Sequence, residues 1–562
     1  MAMERCKLLL SSMCLVGLAA CTNADNTGPE VPVSSPSRTA SNAEAKAAQA
    51  RGEDLFLELE KVAPSSAGFA YEGTRLVVFL ADEAERAVAE AFIARAVSDG
   101  RILPPGGGRR VESYGSRKVK YSYRTLANFR ARVDSVLLGV DRDLQFIDLD
   151  EAANTVTLGY SGDTTTAVSR VRQSLSLSRA DESMLRVERT GAARPDTRRV
   201  ARTRGALSQV PGNLTFAATP MVGGIIIHRQ LQVDYKLCTL GFTAKRNGVT
   251  GFVTNSHCTE DMYGLGGTYK TFGQPFSRIV GVETVDPNGY SCAVAPPTEC
   301  RGADAAFIQS NNTVSHLVGF LAKPASRNTG ELSMTSSTDY IRIKSTGTAV
   351  AGMTVEKIGA VTGWTSGGVT HTCVTAMIQE DQWFKRVACA DKTLYTAQEG
   401  DSGSPVWLWL PYSPSEGGVQ AGLLGIHSSR EIEGNSKYFS RIDRILSDLE
   451  GSWEILGPTP PSPLQAHIWG WTDVKTSSGC QLTYSAHATG GNGSYSFSAM
   501  STNATIVASS GNVLTLSFPT AGSYNVSFTA TDGTGAQSTA YFSVQSDPSN
   551  LECYGAPPGN PF

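Results

Sequence analysis

The residue that most clearly suggests chemistry is a serine in a glycine-rich run. The run GDSG permits a tight turn that presents the hydroxyl of Ser402, because glycine adopts backbone conformations that other residues avoid. The backbone N–H groups of Gly400 and Ser402 can then converge on an oxyanion. Serine is a weak nucleophile, so acyl transfer also needs a base and a carboxylate that orients the base. Without those partners the run is an ordinary Gly-Ser turn.

A histidine and an aspartate earlier in the chain can supply these partners. His257 lies near the end of the run FVTNSHC, where a β-strand delivers the imidazole. Asp304 interrupts the otherwise apolar run GADAAFI, and a buried carboxylate there needs a partner such as His257. The competing acids Asp261 and Asp286 lie in stretches that we expect to be polar loops. We therefore predict Ser402 as the nucleophile, His257 as the base and Asp304 as the orienting acid.

The elements that must position these residues are short β-strands. From about 220 to 455, runs such as GFVT and LLGI alternate with Gly, Ser, Asn and Thr, which is typical of all-β sandwiches and barrels. Residues 464–562 alternate in the same way and predict a small β-sandwich, reached through a stiff Pro-rich linker at 456–463. The length of 562 residues agrees with three or four domains.

The part before the all-β region has a different pattern. Residues 47–190 mix strand runs with apolar residues at helical spacing, which predicts an α/β unit. The expected helices are at 53–62, 82–97, 125–137 and 164–177. An arginine-rich linker follows at 191–219. A basic run can bind an anionic surface, but in an exported chain it is more often an exposed connector open to proteolysis.

The order of the three candidate residues along the chain, His then Asp then Ser, is the chymotrypsin order and differs from that of subtilisin and α/β-hydrolases. Further runs extend the resemblance: VGGI, LCTLGF, GFVTNSHC, GAVTGWTSG, and the pair Cys373 and Cys389 that follows. Spread over about 220 to 445, they look like the mature part of α-lytic protease and the streptogrisins. The chain thus resembles this subgroup of chymotrypsin-like serine proteases.

The resemblance implies two six-stranded β-barrels in residues 220–455. His257 and Asp304 would come from the first barrel and Ser402 from the second, with a peptide substrate in the cleft between them. It implies hydrolysis of peptide bonds through an acyl-enzyme, with protein or peptide substrates and with no metal or organic cofactor.

The α/β unit gains an interpretation from the same resemblance. Its run DEAANTVTL looks like part of this family's pro-region, which assists folding and inhibits the product until it is removed. Slow folding of non-local barrels makes such help physically reasonable. We therefore expect the protease part to bind its own pro-region. The alternative is that residues 47–190 form an unrelated accessory domain. The family's cleavage point falls near Thr219, but Pro220 makes a poor site, so the arginine cluster is the better place for a second protease to act.

The strand GIHSSR after the nucleophile bears on substrate preference. By the resemblance it pairs with the substrate backbone and lines the P1 pocket, so we expect His427, Ser428, Ser429 and Arg430 to bind substrate. His427 stands where bacterial glutamyl endopeptidases carry a pocket histidine, and an imidazole can hydrogen-bond a carboxylate. Glu399 near the pocket rim opposes an acidic preference. A plain wall residue is therefore the alternative for His427.

The N-terminus has the pattern of an export signal. Arg5 and Lys7 precede an apolar stretch at 8–20 that is too short to span a bilayer. The signal, residues 1–21, ends in LAAC, which resembles a bacterial lipobox and implies lipidation of Cys21 and a lipid anchor to a membrane. Ordinary signal cleavage is the alternative. The Ser- and Pro-rich residues 22–46 predict a disordered tether.

Eight further cysteines favour an oxidising compartment outside the cell or on its surface. They fall into four neighbouring pairs: Cys238 and Cys258, Cys292 and Cys300, Cys373 and Cys389, Cys480 and Cys553. Local pairing is a hypothesis, since eight cysteines allow many connectivities. The last pair would staple the C-terminal sandwich, which resembles a PKD or other Ig-like module.

Composition restricts the remaining function classes. The net charge of −3 argues against a general nucleic-acid binder. A surface lipoprotein that binds ligands through a degenerate protease fold is the alternative to an enzyme, and the complete set of candidate residues argues against it. An esterase of the α/β-hydrolase class conflicts with the residue order and with the β pattern.

Overall fold

A computed structural model describes residues 54–549, apart from short internal stretches. The longest of these stretches are 202–212, 260–270, 412–418 and 458–463. The predicted signal peptide, Cys21, the tether and nearly all of the Pro-rich linker lie outside the described residues. Among the described residues, the helices are too short or too polar to cross a bilayer.

The N-terminal region repeats one α-β-β-α-β unit. In each copy the first two strands form an antiparallel hairpin and the third strand returns parallel to the second. A parallel neighbour requires a crossover connection, and a helix supplies it in each copy. The elements are α1 Asp54–Val62, β1 Ser66–Glu72, β2 Arg75–Leu80, α2 Arg86–Ser98, β3 Ser113–Lys118, α3 Tyr123–Leu137, β4 Leu144–Asp150, β5 Thr155–Tyr160, α4 Thr164–Leu175, the short α5 Arg179–Glu182 and β6 Leu185–Arg189, with a 3₁₀ turn at Glu83–Glu85.

Helical spacing explains how these helices cover the sheets. Helix α3 buries Leu126, Phe129 and Val133, which lie three and four residues apart and pack against the inner faces of β4 and β5. Asp163 caps α4 by accepting hydrogen bonds from two backbone N–H groups of its first turn. The four helices predicted from the sequence are confirmed. Their ends differ by at most two residues, except that α2 begins at Arg86 rather than at 82, where a 3₁₀ turn occupies Glu83–Glu85.

The central region is built almost wholly from strands. Its first part contains β7 Ala193–Pro195, β8 Arg198–Ala201, β9 Met221–Gly223, β10 Ile226–Gln230, β11 Asp234–Thr239, β12 Phe242–Arg246, β13 Val249–Thr254, β14 Thr271–Gln274, β15 Arg278–Val285, β16 Tyr290–Ala293, β17 Thr298–Arg301, β18 Ala306–Ser310 and β19 His316–Leu321, with 3₁₀ turns at Asn213–Thr215 and Ser256–Cys258. Its second part contains β20 Ile341–Thr346, β21 Thr354–Gly359, β22 Gly363–Glu380, β23 Trp383–Thr393, β24 Pro405–Trp409, β25 Gln420–Glu431, β26 Lys437–Arg441, α6 Ile442–Leu449 and β27 Trp453–Glu454.

These strands form two sheets that share one apolar core. The first sheet has the order β27-β12-β13-β18-β15-β14-β10-β11-β8, and the second contains the path β16-β17-β23-β26-β25-β24-β21-β22. Phe252 and Ile227 from the first sheet and Trp407 and Ile426 from the second belong to one buried cluster. The all-β prediction for residues 220–455 is therefore confirmed.

The N-terminal region continues the second sheet. Strand β4 pairs antiparallel with β22, with Ile147 opposite Thr375 and Phe146 opposite Ala376. The edge of the long β22–β23 hairpin is thereby covered by a neighbour strand, which satisfies backbone groups that would otherwise face solvent. The predicted mixture of helices and strands is present, and this region docks on the all-β region through the β4–β22 pairing.

The C-terminal part is a sandwich of two four-stranded sheets, as predicted. The sheets have the orders β28-β30-β33-β32 and β29-β35-β34-β31 and bury a common apolar core that includes Tyr484, Leu516 and Phe528. The strands are β28 Gln465–Trp469, β29 Val474–Thr476, β30 Gln481–Thr489, β31 Tyr495–Ser501, β32 Thr505–Ser510, β33 Val513–Ser517, β34 Gly522–Asp532 and β35 Gln537–Ser546.

Candidate active site

Two glycines shape the turn that carries Ser402 between β23 and β24. Gly400 has a φ of +105°, and a Cβ there would lie 2.6 Å from Cγ2 of Val361. Gly403 has a φ of +90°, and a Cβ there would lie 2.1 Å from the carbonyl oxygen of Thr239. A larger residue at either position would therefore displace the backbone that holds Ser402.

Asp401 anchors the same turn from inside the second sheet. Its carboxylate lies 3.1 Å from Nζ of Lys357 and accepts hydrogen bonds from the Thr362 hydroxyl at 2.7 Å and the Val361 N–H at 3.0 Å. Burial alone would raise the pKa of Asp401, but the Lys357 ammonium and these donors outweigh burial and lower that pKa. Lys357 is thus the cationic partner that a buried Asp401 requires.

His257 bridges the two sheets at the predicted place. It lies in the 3₁₀ turn directly after β13, and its Nδ1 is 2.5 Å from Oδ2 of Asp304 while its Nε2 is 2.7 Å from Oγ of Ser402. The carboxylate accepts a hydrogen bond from Nδ1–H of His257, so the Nε2 lone pair faces the serine hydroxyl. The structure brings these three predicted residues together, and all three are fully buried.

Backbone and side-chain contacts hold Asp304 in this orientation. The side-chain Oδ1 of Asp304 accepts a hydrogen bond from the backbone N–H of His257 at 3.1 Å. The backbone N–H of Asp304 donates to Oγ of Ser440 at 2.9 Å, and its backbone carbonyl oxygen accepts from the Asn255 side-chain amide at 2.8 Å. Both carboxylate oxygens therefore have hydrogen-bond partners on His257, which a buried charge needs.

The competing acid Asp286 has a different role. We expected it in a polar loop. It does lie in the loop after β15, but its side chain is buried, with Arg301 Nη1 at 2.5 Å and the Ser256 hydroxyl at 2.8 Å. Burial raises the pKa of Asp286. Through Ser256 it supports the turn that presents His257. The other competitor, Asp261, lies outside the described residues.

An aspartate that the sequence analysis did not identify occupies the site. The backbone carbonyl oxygen of Asp196 accepts hydrogen bonds from the N–H of Gly400 and, at 3.4 Å, from the N–H of Ser402. These are the two donors that we predicted for an oxyanion. The carbonyl of Asp196 thus lies where an acyl carbonyl would be attacked by Ser402.

The side chain of Asp196 enters the predicted pocket. Its Oδ2 lies 2.8 Å from Nε2 of His427 and its Oδ1 lies 2.6 Å from Nε of Arg430. We expected Glu399 at the rim to repel an acid, but its carboxylate is bound by Arg430 Nη2 at 3.2 Å and remains largely exposed. The guanidinium therefore contacts one acid inside the pocket and another at its mouth.

Tyr395 decides which nitrogen of His427 carries the proton. Its hydroxyl lies 3.0 Å from Nδ1 of His427, and burial raises the pKa of Tyr395 well above its ordinary value, so the phenol stays a donor. Burial lowers the pKa of His427, even though Asp196 acts in the opposite direction. A neutral imidazole that accepts at Nδ1 donates from Nε2, which is the atom facing the Asp196 carboxylate.

The chain on both sides of Asp196 is paired with sheet strands. Upstream, β7 runs antiparallel to β25, with Arg194 opposite Arg430 and Pro195 opposite Ser429. Downstream, β8 runs antiparallel to β11 over four residue pairs. The linker thus crosses the site as an extended strand from the second sheet to the first.

The other two predicted pocket residues contribute backbone. The carbonyl oxygen of Ser428 is 3.4 Å from Oγ of Ser402. Ser429 lies opposite Pro195 in the antiparallel pairing of β25 with β7. The side chains of both serines are buried. They form the wall along which an extended chain lies.

Two of the four predicted disulfides are present in the described residues. Cys238 bonds to Cys258, which ties the His257 turn to β11, and Cys373 bonds to Cys389 across the β22–β23 hairpin. Cys300 and Cys480 are also disulfide-bonded. The side chains of their predicted partners, Cys292 and Cys553, lie outside the described residues.

One compositional signal could have pointed to Asp196. It is the only acidic residue in the arginine-rich linker 191–219, and it lies in the run RPDTRR. Tyr395 had no comparable signal, because nothing in the run TLYTAQ distinguishes this tyrosine from an ordinary buried aromatic residue.

No family model matches the chain, and no curated protein sequence matches it. Several solved structures resemble part of it. Thermobifida fusca protease A is 18% identical, over 42% of this chain and 98% of that one, with a TM-score of 0.28. Cellulomonas bogoriensis chymotrypsin is 19% identical over 41% and 98%, with a TM-score of 0.27. A glutamic-acid-specific serine protease described as using a histidine triad in substrate binding is 21% identical over 40% and 96%, with a TM-score of 0.28.

Proposed function

We propose that this protein is an exported serine endopeptidase that is made as an inactive precursor. Ser402 is the nucleophile, His257 the general base and Asp304 the carboxylate that orients the base. The observation that carries the proposal is the hydrogen-bonded row from Asp304 through His257 to Ser402, beside the convergent N–H groups of Gly400 and Ser402. This set meets the requirements of serine acyl chemistry.

The reaction proceeds in two halves. His257 Nε2 accepts the proton of Ser402 as Oγ attacks the substrate carbonyl, and the N–H groups of Gly400 and Ser402 stabilise the oxyanion. His257 then protonates the leaving amine, which yields the acyl-enzyme. A water molecule gives its proton to His257, attacks the ester and releases the acid. Asp304 stabilises the imidazolium in both halves.

Within this function we propose a preference for an acidic residue at P1, the residue whose carbonyl is attacked. The support is that His427 and Arg430 both contact one carboxylate, that of Asp196. Burying a carboxylate without donors is costly, and these two groups offset that cost. A P1 side chain without a carboxylate would leave their donors unsatisfied, which is how such a pocket discriminates. The alternative, in which His427 is only a wall residue, predicts no such preference.

The remaining regions fit an exported precursor. We propose that residues 1–21 direct export with lipidation at Cys21, that 22–46 is a tether, and that 47–190 is a pro-region that covers the site. The support for the last assignment is the β4–β22 pairing together with the burial of Ser402. The C-terminal sandwich, residues 464–562, is a PKD or Ig-like module that binds substrate, the cell surface or another protein, or acts as a spacer.

Hydrolysis of a peptide library tests the function and its preference together. After removal of the N-terminal region, the protein should cleave peptides on the carboxyl side of Asp or Glu, and Ser402→Ala should abolish cleavage. His427→Ala should retain cleavage but lose the acidic preference. No turnover of any peptide by the separated protein would favour a non-catalytic ligand binder and contradict the proposal. Turnover without acidic preference would remove only the pocket assignment.

A further inference from the structure

We infer that the chain cleaves its own Asp196–Thr197 bond within one molecule, and that this cut separates the N-terminal region from the protease; the inference rests on the proposed function. The bond lies in the arginine-rich linker, upstream of the junction near Thr219 that the family resemblance suggests. It also lies within the arginine cluster, where a second protease was the expected agent. We expect Ser402 of the same chain, rather than a second protease, to make this cut.

The first reason is the path of the chain on both sides of the bond. Three residue pairs join β7 to β25 before Asp196, and four pairs join β8 to β11 after Thr197. A segment that only blocked the site would need pairing on one side. Pairing on both sides holds the peptide bond across the cleft in an extended conformation, which is how a proteolytic substrate binds.

The second reason is the position of the bond relative to the reacting groups. Both N–H groups of the predicted oxyanion site point at the carbonyl oxygen of Asp196. The Ser402 hydroxyl is hydrogen-bonded to His257 Nε2 at 2.7 Å, so its proton already has an acceptor. The group that would be attacked, the nucleophile and the base are therefore assembled in one precursor.

The third reason is recognition of the Asp196 side chain. Its carboxylate is fully buried and has a histidine donor on Oδ2 and a guanidinium on Oδ1. The rest of the linker 191–219 contains no acid. An acid-specific pocket thus has one position in the linker at which it can bind, which makes the cut unique there.

The reaction balances without any partner except water. Oγ of Ser402 forms a bond to the carbonyl carbon of Asp196, and its proton passes to His257. The C–N bond to Thr197 breaks, and the leaving amine takes the proton from His257. Water then hydrolyses the ester, which regenerates Ser402 and leaves a carboxylate at the new C-terminus of Asp196.

The cut has consequences for the two fragments. The protease would begin at Thr197 and keep β8 as a strand of its first sheet. The N-terminal fragment would end at Asp196 and remain bound through β7 and through the β4–β22 pairing. Self-cleavage therefore does not expose the site at once, and activity appears only after the N-terminal fragment is removed.

The test uses the full chain, unfolded and then refolded under conditions that form its disulfides. We expect one cut, with Thr197 as the new N-terminal residue by Edman sequencing and intact mass. Ser402→Ala and the isosteric Asp304→Asn should both leave the chain whole. Asp196→Asn, which removes the carboxylate charge, should slow the cut at least about tenfold. Asp99→Asn, at an exposed aspartate of the N-terminal region, is the matched control and should be cut like the wild type.

The rate also distinguishes cleavage within one molecule from cleavage between molecules. A half-time that is constant over a wide dilution series supports the inference, and one that lengthens on dilution overturns it. The same cut in Ser402→Ala would identify a contaminating protease and also overturn it. A wild-type chain that stays whole at Asp196, yet hydrolyses peptides once its N-terminal region is removed by an added protease, would overturn the inference and leave the proposed function intact.

Discussion

Nε2 of His427 lies 2.8 Å from Oδ2 of Asp196, although 231 residues of sequence separate the two. The contact places an acid from the linker in a buried pocket beside Ser402. It also makes His427 a hydrogen-bond donor through the nitrogen that Tyr395 leaves protonated. Substrate preference, maturation and the protonation of one imidazole are therefore linked at this single contact.

Tyr395 should contribute to acidic preference without touching the substrate. In Tyr395→Phe the Nδ1 atom loses its donor, so the tautomer that donates from Nε2 is no longer favoured. We expect kcat/KM for peptides with Glu or Asp at P1 to fall about tenfold, with little change for peptides with a neutral P1 residue. An equal fall for both peptide classes would show that Tyr395 acts only on the fold.

The ratio of acidic to neutral P1 cleavage should be independent of pH near neutrality. Burial lowers the pKa of His427, so the imidazole acts as a neutral donor and has no charge to lose as pH rises. We predict a constant ratio of kcat/KM values between about pH 6 and pH 9, measured on matched peptides. A ratio that falls as pH rises would show that a charged imidazolium reads the substrate, and would contradict the neutral-donor mechanism.

Arg430 and Glu399 should have opposite effects on the same preference. Arg430→Gln removes the charge that contacts the pocket carboxylate, so cleavage after acidic residues should weaken. Glu399→Gln frees the guanidinium from its competitor at the rim, so the same cleavage should strengthen by a smaller factor. Steady-state kinetics on the two peptide classes measures both effects. An increased acidic preference in Arg430→Gln would contradict the assignment.

The Lys357–Asp401 pair should govern stability more than chemistry. In Ser402→Ala, which keeps a single uncut chain, Lys357→Met should lower the free energy of unfolding by about 3–5 kcal/mol at neutral pH, because it leaves a buried carboxylate without its cation. Denaturant titration followed by tryptophan fluorescence measures the loss. Asp401→Asn in the same background is the comparison variant, since it removes the charge and keeps the shape.

The pH dependence of that loss has a defined sign. The folded pKa of Asp401 is depressed, so the carboxylate stabilises the fold at pH values above its unfolded pKa, and this contribution disappears as pH falls through the folded pKa. The penalty in Lys357→Met should therefore shrink below about pH 4. An equal penalty at acidic and neutral pH would contradict the assignment of the charge to Asp401.

The three predicted residues that the structure brings together share one property. Ser402, His257 and Asp304 each lie in a local run that restricts its surroundings: two glycines, a strand end, and an apolar stretch that needs a reason to contain a carboxylate. The same local reasoning predicted the helices and the strand-rich regions. Such features depend on neighbours in the chain, and the sequence records neighbours directly.

The features that the sequence did not reveal depend on distant contacts. Asp196 enters the pocket because β7 and β8 pair with strands far along the chain, and no local pattern specifies that register. Asp286 lies in a loop, and its burial depends on Arg301 and Ser256, which the fold brings beside it. Tyr395 matters only because the segment that follows β23 brings its hydroxyl to Nδ1 of His427. Each of these is a tertiary effect that overrides local composition.

Covalent labelling measures directly whether His257 activates Ser402 as a nucleophile. The separated protein should be treated with a serine-directed phosphonate and its peptides mapped by mass spectrometry. We predict one adduct on Ser402, complete loss of peptide hydrolysis, and no adduct in His257→Ala. An unlabelled Ser402 in protein freed of its N-terminal region, or equal labelling in His257→Ala, would contradict this prediction.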